Sequence, residues 1–299
     1  MKRLISILLT ATALTAAKLA AAAGPVAVEP AATPFHIGAL HAFALADAKY
    51  VVPNDGSIFG SGAGPAEVGK VLQAAGAPTD TITLSVTALL VKNGQHVVLL
   101  DTGLGPKVKG VLLQSLGKAG LAPGDVTDVL ITHSHGDHIG GLVTADGQPA
   151  FPNATVRMAA AEWTFMQSRN DVADIVKAVT AHVKTFEPGA VVVPGITAVS
   201  IAGHTPGHMG YEIVSGKDRL LDIGDSAHSA ILSLAKPNWE MQFDTDKVLA
   251  RQSREKLLRD LARSHEQIFS PHFPFPGVGR IVTEGDHFAW KATLPAASP

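Results

Sequence analysis

The chain has 299 residues, 46% of them hydrophobic, enough for one large domain or two ordinary ones with a well-buried core. Its 24 Lys and Arg face 26 Asp and Glu, and a formal charge of −2 offers no basic field to nucleic acid or to an anionic membrane. With no cysteine there is no disulfide, thiolate metal site or cysteine nucleophile, so any metal must be held by carboxylates and by the 13 histidines.

In chain order, Lys2 and Arg3 precede an apolar run over 4–17, and Ala21-Ala22-Ala23 before Gly24 reads as a small-residue cleavage site. Residues 1–23 are therefore expected to be a signal peptide, with the mature protein periplasmic or secreted. The apolar run is shorter than the roughly 20 residues a bilayer core requires, so no stable membrane anchor is expected. An Ala- and Pro-rich lead-in over 24–34 is expected to be flexible, and 35–299 to form one domain. Strand patterning starts over 35–45, and 86–100 reads as a hairpin about Asn93-Gly94. Val108, Val111, Leu112 and Leu116 then share a helical face, which Gly120 and Pro123-Gly124 break. Residues 126–132 read as a buried strand, with further strands over 154–158, 190–193, 196–201, 211–214 and 220–223. Helices are predicted over 160–169, 174–184 and 246–263, the last capped by Asp246 with Leu249, Leu257 and Leu261 facing inward. Strands and helices interleave without a repeat or a long linker.

Directly after the strand predicted over 126–132 comes Thr132-His133-Ser134-His135-Gly136-Asp137-His138, with four potential metal ligands in six positions. A strand-to-loop exit lets His133 and His135 point to one side. The turn at Gly136 brings Asp137 and His138 to a second position, an arrangement for two neighbouring metals. Imidazoles packed this closely would repel one another if protonated, whereas neutral imidazole is a common ligand for zinc-like ions.

His133-x-His135-x-Asp137-His138 resembles the signature of the metallo-β-lactamase superfamily. Leu99-Leu100-Asp101-Thr102-Gly103, Gly203-His204-Thr205-Pro206-Gly207-His208, Gly224-Asp225 and Ser270-Pro271-His272 follow that family's pattern around it and in its order. The resemblance spans residue 35 to the C-terminus and implies an α/β (α+β) fold, an αββα sandwich with the site at one edge of two facing sheets. It implies two divalent metal ions, zinc first, with manganese, iron and cobalt as alternatives. His133, His135 and His204 would hold one ion, Asp137, His138 and His272 the other, and Asp225 would bridge them, while Asp101 supports the site without binding metal. Asp137 and Asp225 are thereby the carboxylates of the catalytic centre. The implied activity is hydrolysis by a metal-bridging hydroxide.

The flanking segments 150–154, 242–246 and 272–279 resemble methyl parathion hydrolase and its relatives, exported dinuclear enzymes acting on phosphotriesters, lactones and aryl esters. The expected substrate is thus a small ester-type molecule, with no nucleic acid partner, and the resemblance leaves a homodimer open. A β-lactam hydrolase is the alternative, disfavoured by the missing cysteine ligand. A nuclease is opposed by the charge balance and the export signal, and a non-catalytic or redox metal protein by the complete ligand set. No acid for the leaving group is visible, which favours a stabilised aryloxide or a tethered lactone oxygen. His208 is expected to be structural. His228 is balanced between the cleft and a surface loop. His36, His41, His96, His182, His265 and His287 fall outside the motifs, and Trp163, Phe165, Met166 and Trp239 could pack the core or line a pocket.

Overall fold

A computed structural model describes residues 24–295, and the signal peptide expected over 1–23 lies outside them. Among the described residues, eight strands form one mixed sheet: β1 (Gly24–Val26), β2 (Ala32–Ile37), β3 (Leu40–Pro53), β4 (Thr81–Asn93), β5 (His96–Leu100), β6 (Asp128–Leu130), β7 (Thr155–Ala159) and β8 (Val183–Phe186). Seven form a second: β9 (Val191–Val193), β10 (Ile196–Ser200), β11 (Met209–Ser215), β12 (Asp218–Asp222), β13 (Gln267–Phe269), β14 (Val278–Glu284) and β15 (His287–Ala292). The α-helices are α1 (Pro65–Ala74), α2 (Leu112–Lys118), α3 (Gly136–Ile139), α4 (Ala160–Gln167), α5 (Ala173–Val179), α6 (Leu232–Ala235) and α7 (Lys247–Ser264).

The layering follows from side-chain alternation. Leu89 and Val91 of β4, with Val98 and Leu100 of β5, point between the sheets against Ile196, Tyr211, Ile213 and Phe269. Their chain neighbours Leu90 and Leu99 point the other way, onto Leu112 and Leu116 of α2 and Met166 of α4. Across the molecule, Leu221 and Ile268 cover Leu258 and Leu261 of α7. Each such aliphatic side chain contributes about 1.5–3 kcal/mol on full burial. The result is the expected αββα sandwich. No helix of the described residues is long and apolar enough to cross a membrane.

Several expectations need adjusting. Residues 24–34, expected to be a flexible lead-in, instead supply β1 and the start of β2, which pair end to end along one edge of β3. The hairpin register pairs Asn93 with His96, so its turn is Gly94-Gln95, with Gly94 at φ 61°. The helix expected to reach 184 stops at Val179, because Val183 onward pairs with β7 as an edge strand. Asp246 caps α7 by accepting the Leu249 N–H at 2.9 Å, but Leu249 itself is exposed; Ala250, Arg254, Leu258 and Leu261 form the inward stripe. Val108 is likewise exposed, in a short 3-10 turn ahead of α2.

The topology gathers the motif residues. β5 and β6 are parallel neighbours in one sheet, and β12 and β13 in the other. Asp101, the His133–His138 segment that runs into α3, Asp225 and His272 therefore follow the C-terminal ends of these strands at one edge of the sandwich, and the β10–β11 connection adds His204.

Candidate metal centre

All seven expected ligands meet there, in two clusters. His133, His135, His204 and Asp225 form one, and Asp137, His138 and His272 the other. His133 Nε2, His135 Nδ1 and His204 Nε2 lie 3.0–3.2 Å from one another. A tetrahedral ion about 2.0–2.1 Å from each nitrogen would hold them roughly 3.3 Å apart, so the triangle has the size of one face of such a shell. In the second cluster the Asp137 carboxylate lies 3.9 Å from His138 Nε2 and 3.6 Å from His272 Nε2. Asp225 faces both: Oδ2 is 3.5 Å from His204 Nε2 and 3.6 Å from His133 Nε2, Oδ1 is 3.3 Å from His138 Nε2, and His272 Nε2 lies 3.1 Å from Oδ1 and 3.2 Å from Oδ2. His138 Nε2 and Asp225 Oδ1 are buried without a hydrogen-bond partner, which is costly unless something cationic meets them. The donor set therefore fits two divalent ions sharing one carboxylate.

The opposite ring edges are tied down, which fixes tautomer and orientation. Asp101 accepts from His138 Nδ1 at 2.7 Å and from the Thr132 N–H and hydroxyl at 2.8 Å each. It does so at φ 59°, a left-handed backbone that a non-glycine residue holds only when its surroundings impose it. His272 Nδ1 donates to the Ser85 carbonyl at 2.7 Å, and His204 Nδ1 to Asp244 Oδ1 at 2.9 Å. Asp244 is held in turn by Arg254 Nη2 at 2.7 Å. That buried arginine also donates through Nε to the Ser226 carbonyl, next in the chain to Asp225.

Burial, reinforced by neighbouring imidazoles, holds the His133, His135 and His204 rings below the ordinary histidine range, neutral and ready as ligands. Burial also acts against charge on His138 and His272, but the carboxylates around them, Asp225 foremost, outweigh it and leave both raised. Asp225 is the counterpart: burial pushes it up, and His272, His138, His228 and His133 together bring it well below the carboxylate range.

His208, expected to be structural, stands outside both ligand clusters. Its Nδ1 donates to the Ile201 carbonyl at 2.8 Å, and its Nε2 accepts the Asp225 N–H at 2.9 Å. A Cβ on Gly224 (φ 47°) would come within 2.6 Å of that Nε2, so this approach requires glycine. His228 belongs to the cleft. It is buried and stacked on His272, with Nε2 3.1 Å from Asp225 Oδ2 and both ring nitrogens free of hydrogen bonds. Trp163 and Met166 pack beneath the first sheet and Trp239 beside α1, so these three take the core reading.

A cavity of about 430 Å³ opens over the two clusters. His135, Asp137, Asp225, His228 and His272 form its floor, and Tyr50, Val52, Ile58, Leu84 and Phe243 its apolar wall. Burial first, then the Asp137 charge, raises the Tyr50 phenol and keeps its proton on. Sequence reasoning missed this wall, along with Asp244 and Arg254 as supports of His204. The cavity-facing strand residues are ordinary β formers, and only the site gives them a role.

The model of the metallo-β-lactamase superfamily matches residues 81–272. The chain belongs to the metallo-β-lactamase superfamily. Metallo-β-lactamase domain-containing protein 1 of Xenopus laevis is 36% identical over 121 residues, 40% of this chain, which spans only 43% of that relative's length. An N-acyl homoserine lactonase of Bacillus cereus is 25% identical over 222 residues, 65% of this chain and 84% of the relative. Among solved structures, the dizinc quorum-quenching lactonase AidC, in complex with a product, superimposes with a TM-score of 0.83 at 28% identity, over 89% of this chain and 98% of that one. This member of the superfamily has its histidine and aspartate cluster in place.

Proposed function

We propose that this metallo-β-lactamase superfamily member is an exported dinuclear hydrolase of ester-type bonds, with lactones first and aryl esters and phosphotriesters as related substrates. His133, His135 and His204 would hold one ion and Asp137, His138 and His272 the second, with Asp225 shared between them. Zinc suits this imidazole and carboxylate set, with manganese, iron and cobalt as alternatives. Bound there, two such ions supply an activated water and a Lewis acid for the ester oxygen.

The observation that carries the reading is Asp225, whose carboxylate faces both ligand triads under one apolar-walled cavity. The chain's own groups do the rest. Tyr50, Val52, Ile58, Leu84 and Phe243 receive an acyl or aryl group and exclude water around it. The Tyr50 hydroxyl keeps its proton and can donate to a substrate oxygen. His228, buried on the cavity floor with neither ring nitrogen engaged, can orient the substrate's leaving oxygen by hydrogen bonding. A lactone suits this floor because its leaving oxygen stays tethered. The likeness to two lactonases supports the same choice. Export rests on the basic and apolar pattern before Gly24.

The test is a panel on zinc-reconstituted protein: N-acyl homoserine lactones, an aryl ester, a phosphotriester and a chromogenic cephalosporin. Chelator-sensitive turnover of lactone above cephalosporin is expected. Turnover of the cephalosporin alone would overturn the reading. Export is checked separately, by finding the protein outside the cytoplasm of a bacterial host with its N-terminus at Gly24.

A further inference from the structure

Glu162 lies in the first turn of α4, outside every motif, and is 0% exposed. Its carboxylate is nevertheless fully occupied. Oε1 accepts the Ser134 N–H at 2.7 Å and the Ser134 hydroxyl at 2.6 Å, while Oε2 accepts the Thr205 hydroxyl at 2.7 Å and the Gly207 N–H at 3.0 Å. Ser134 stands between His133 and His135, and Thr205 follows His204. One carboxylate thus ties together the two loops that carry all three histidines of the first cluster. Arg169, just past the other end of α4, donates through Nη1 to the Ser134 carbonyl at 2.7 Å, so the peptide groups on both sides of Ser134 are gripped by one helical segment. The contact is close: a Cβ on Gly207 would come within 2.2 Å of the Glu162 nitrogen.

The ligands of the second cluster are supported elsewhere, His138 by Asp101 and His272 by the Ser85 carbonyl. We infer that Glu162 is a positioning residue for the three-histidine metal position alone, setting the spacing of His133, His135 and His204 by fastening Ser134 to Thr205 and Gly207. The inference rests on the two-ion reading above. A buried carboxylate is the group the place requires. It offers acceptors on both oxygens to four donors, two of them backbone N–H groups that cannot turn away. Glutamine has the same shape but presents an NH2 to one pair, where it opposes either the Ser134 or the Gly207 N–H.

The experiment titrates metal-free protein with cobalt(II), followed by visible absorption and chelator competition, with occupancy at each position read by anomalous diffraction. Wild type is expected to bind two ions. Glu162→Gln is expected to lose about 10- to 100-fold in affinity at the three-histidine position, the usual effect of removing a group that orients metal ligands, and to keep wild-type affinity at the other. Equal loss at both positions, or no loss, overturns the inference while leaving the two-ion reading intact. A wild type that binds no metal overturns the two-ion reading itself and the inference with it. If Glu162→Gln does not fold, Thr205→Val, which removes one hydroxyl from Oε2, is judged by the same criterion: a smaller loss confined to the three-histidine position is expected, and an equal change at both positions refutes the assignment.

Discussion

His204 Nδ1 and Asp244 Oδ1 lie 2.9 Å apart, both buried, although 40 residues of chain separate them. This contact places the proton on Nδ1 and leaves the Nε2 lone pair for the site. Burial works against the Asp244 charge, but His204, His228 and Arg254 outweigh it and hold the carboxyl below its ordinary range. Asp244→Ala should therefore weaken metal binding at the three-histidine position by about 10- to 100-fold. Chelator competition on the purified variant measures this, and undiminished affinity would refute the role.

Arg254 is the buried counter-charge of Asp244 and also donates to three carbonyls, those of Ser226, Pro237 and Trp239. Truncating it leaves a buried carboxylate without its arginine partner, a loss of about 3–5 kcal/mol. Arg254→Ala should lower the unfolding free energy by that order in urea titrations. The pair Arg254→Met with Asp244→Leu should recover part of the stability without recovering metal affinity.

Acid should empty the two metal positions in a set order. In the metal-free protein His138 and His272 have raised pKa values, so as pH falls protons compete there first for the lone pairs that ligation requires. His133, His135 and His204 are lowered and stay neutral to more acid pH. Dialysis through a descending pH series, with metal content and position read at each step, should show the Asp137, His138 and His272 position vacated first. Simultaneous release would contradict this account.

The apolar wall should govern substrate affinity more than turnover. Leu84 and Phe243 line the cavity without contributing a ligand atom. Leu84→Ala or Phe243→Ala removes contact worth roughly 1–2 kcal/mol, which predicts a rise in KM of about tenfold for long acyl or aryl substrates with little change in kcat. Steady-state kinetics across acyl-chain lengths gives the answer; a fall in kcat at constant KM would assign these residues to the chemistry instead.

The centre was legible to different depths in the chain. His133, His135, Asp137 and His138 stand within six positions of one another, so their spacing alone suggests two metal positions. His204, Asp225 and His272 are isolated in sequence, and family resemblance linked them to the site before the fold brought them there. His228 lies three residues beyond Asp225, a spacing that fits cleft and surface alike, and only its burial against His272 places it in the cleft. Glu162 and Arg254 carried no local signal, because a charged residue on a helix usually faces water, and burial with fixed partners is a property of the packed structure. Leu249 shows the converse: the first turn of α7 points an apolar residue outward, and its helical spacing does not reveal this.

Composition excluded thiolate chemistry, the histidine-rich loop supplied neutral ligands, and alternating apolar residues committed the chain to layered sheets. These follow from the sequence because each depends on residue type or near-neighbour spacing. The tertiary structure decided which atoms face one another across the centre: the Asp225 carboxylate toward both triads, the Glu162 carboxylate between two ligand loops, and the β3, β4 and Phe243 side chains over the floor. Those relationships depend on ångström distances between residues tens to nearly two hundred positions apart, which packing of the two sheets and their helices sets and local pattern does not encode.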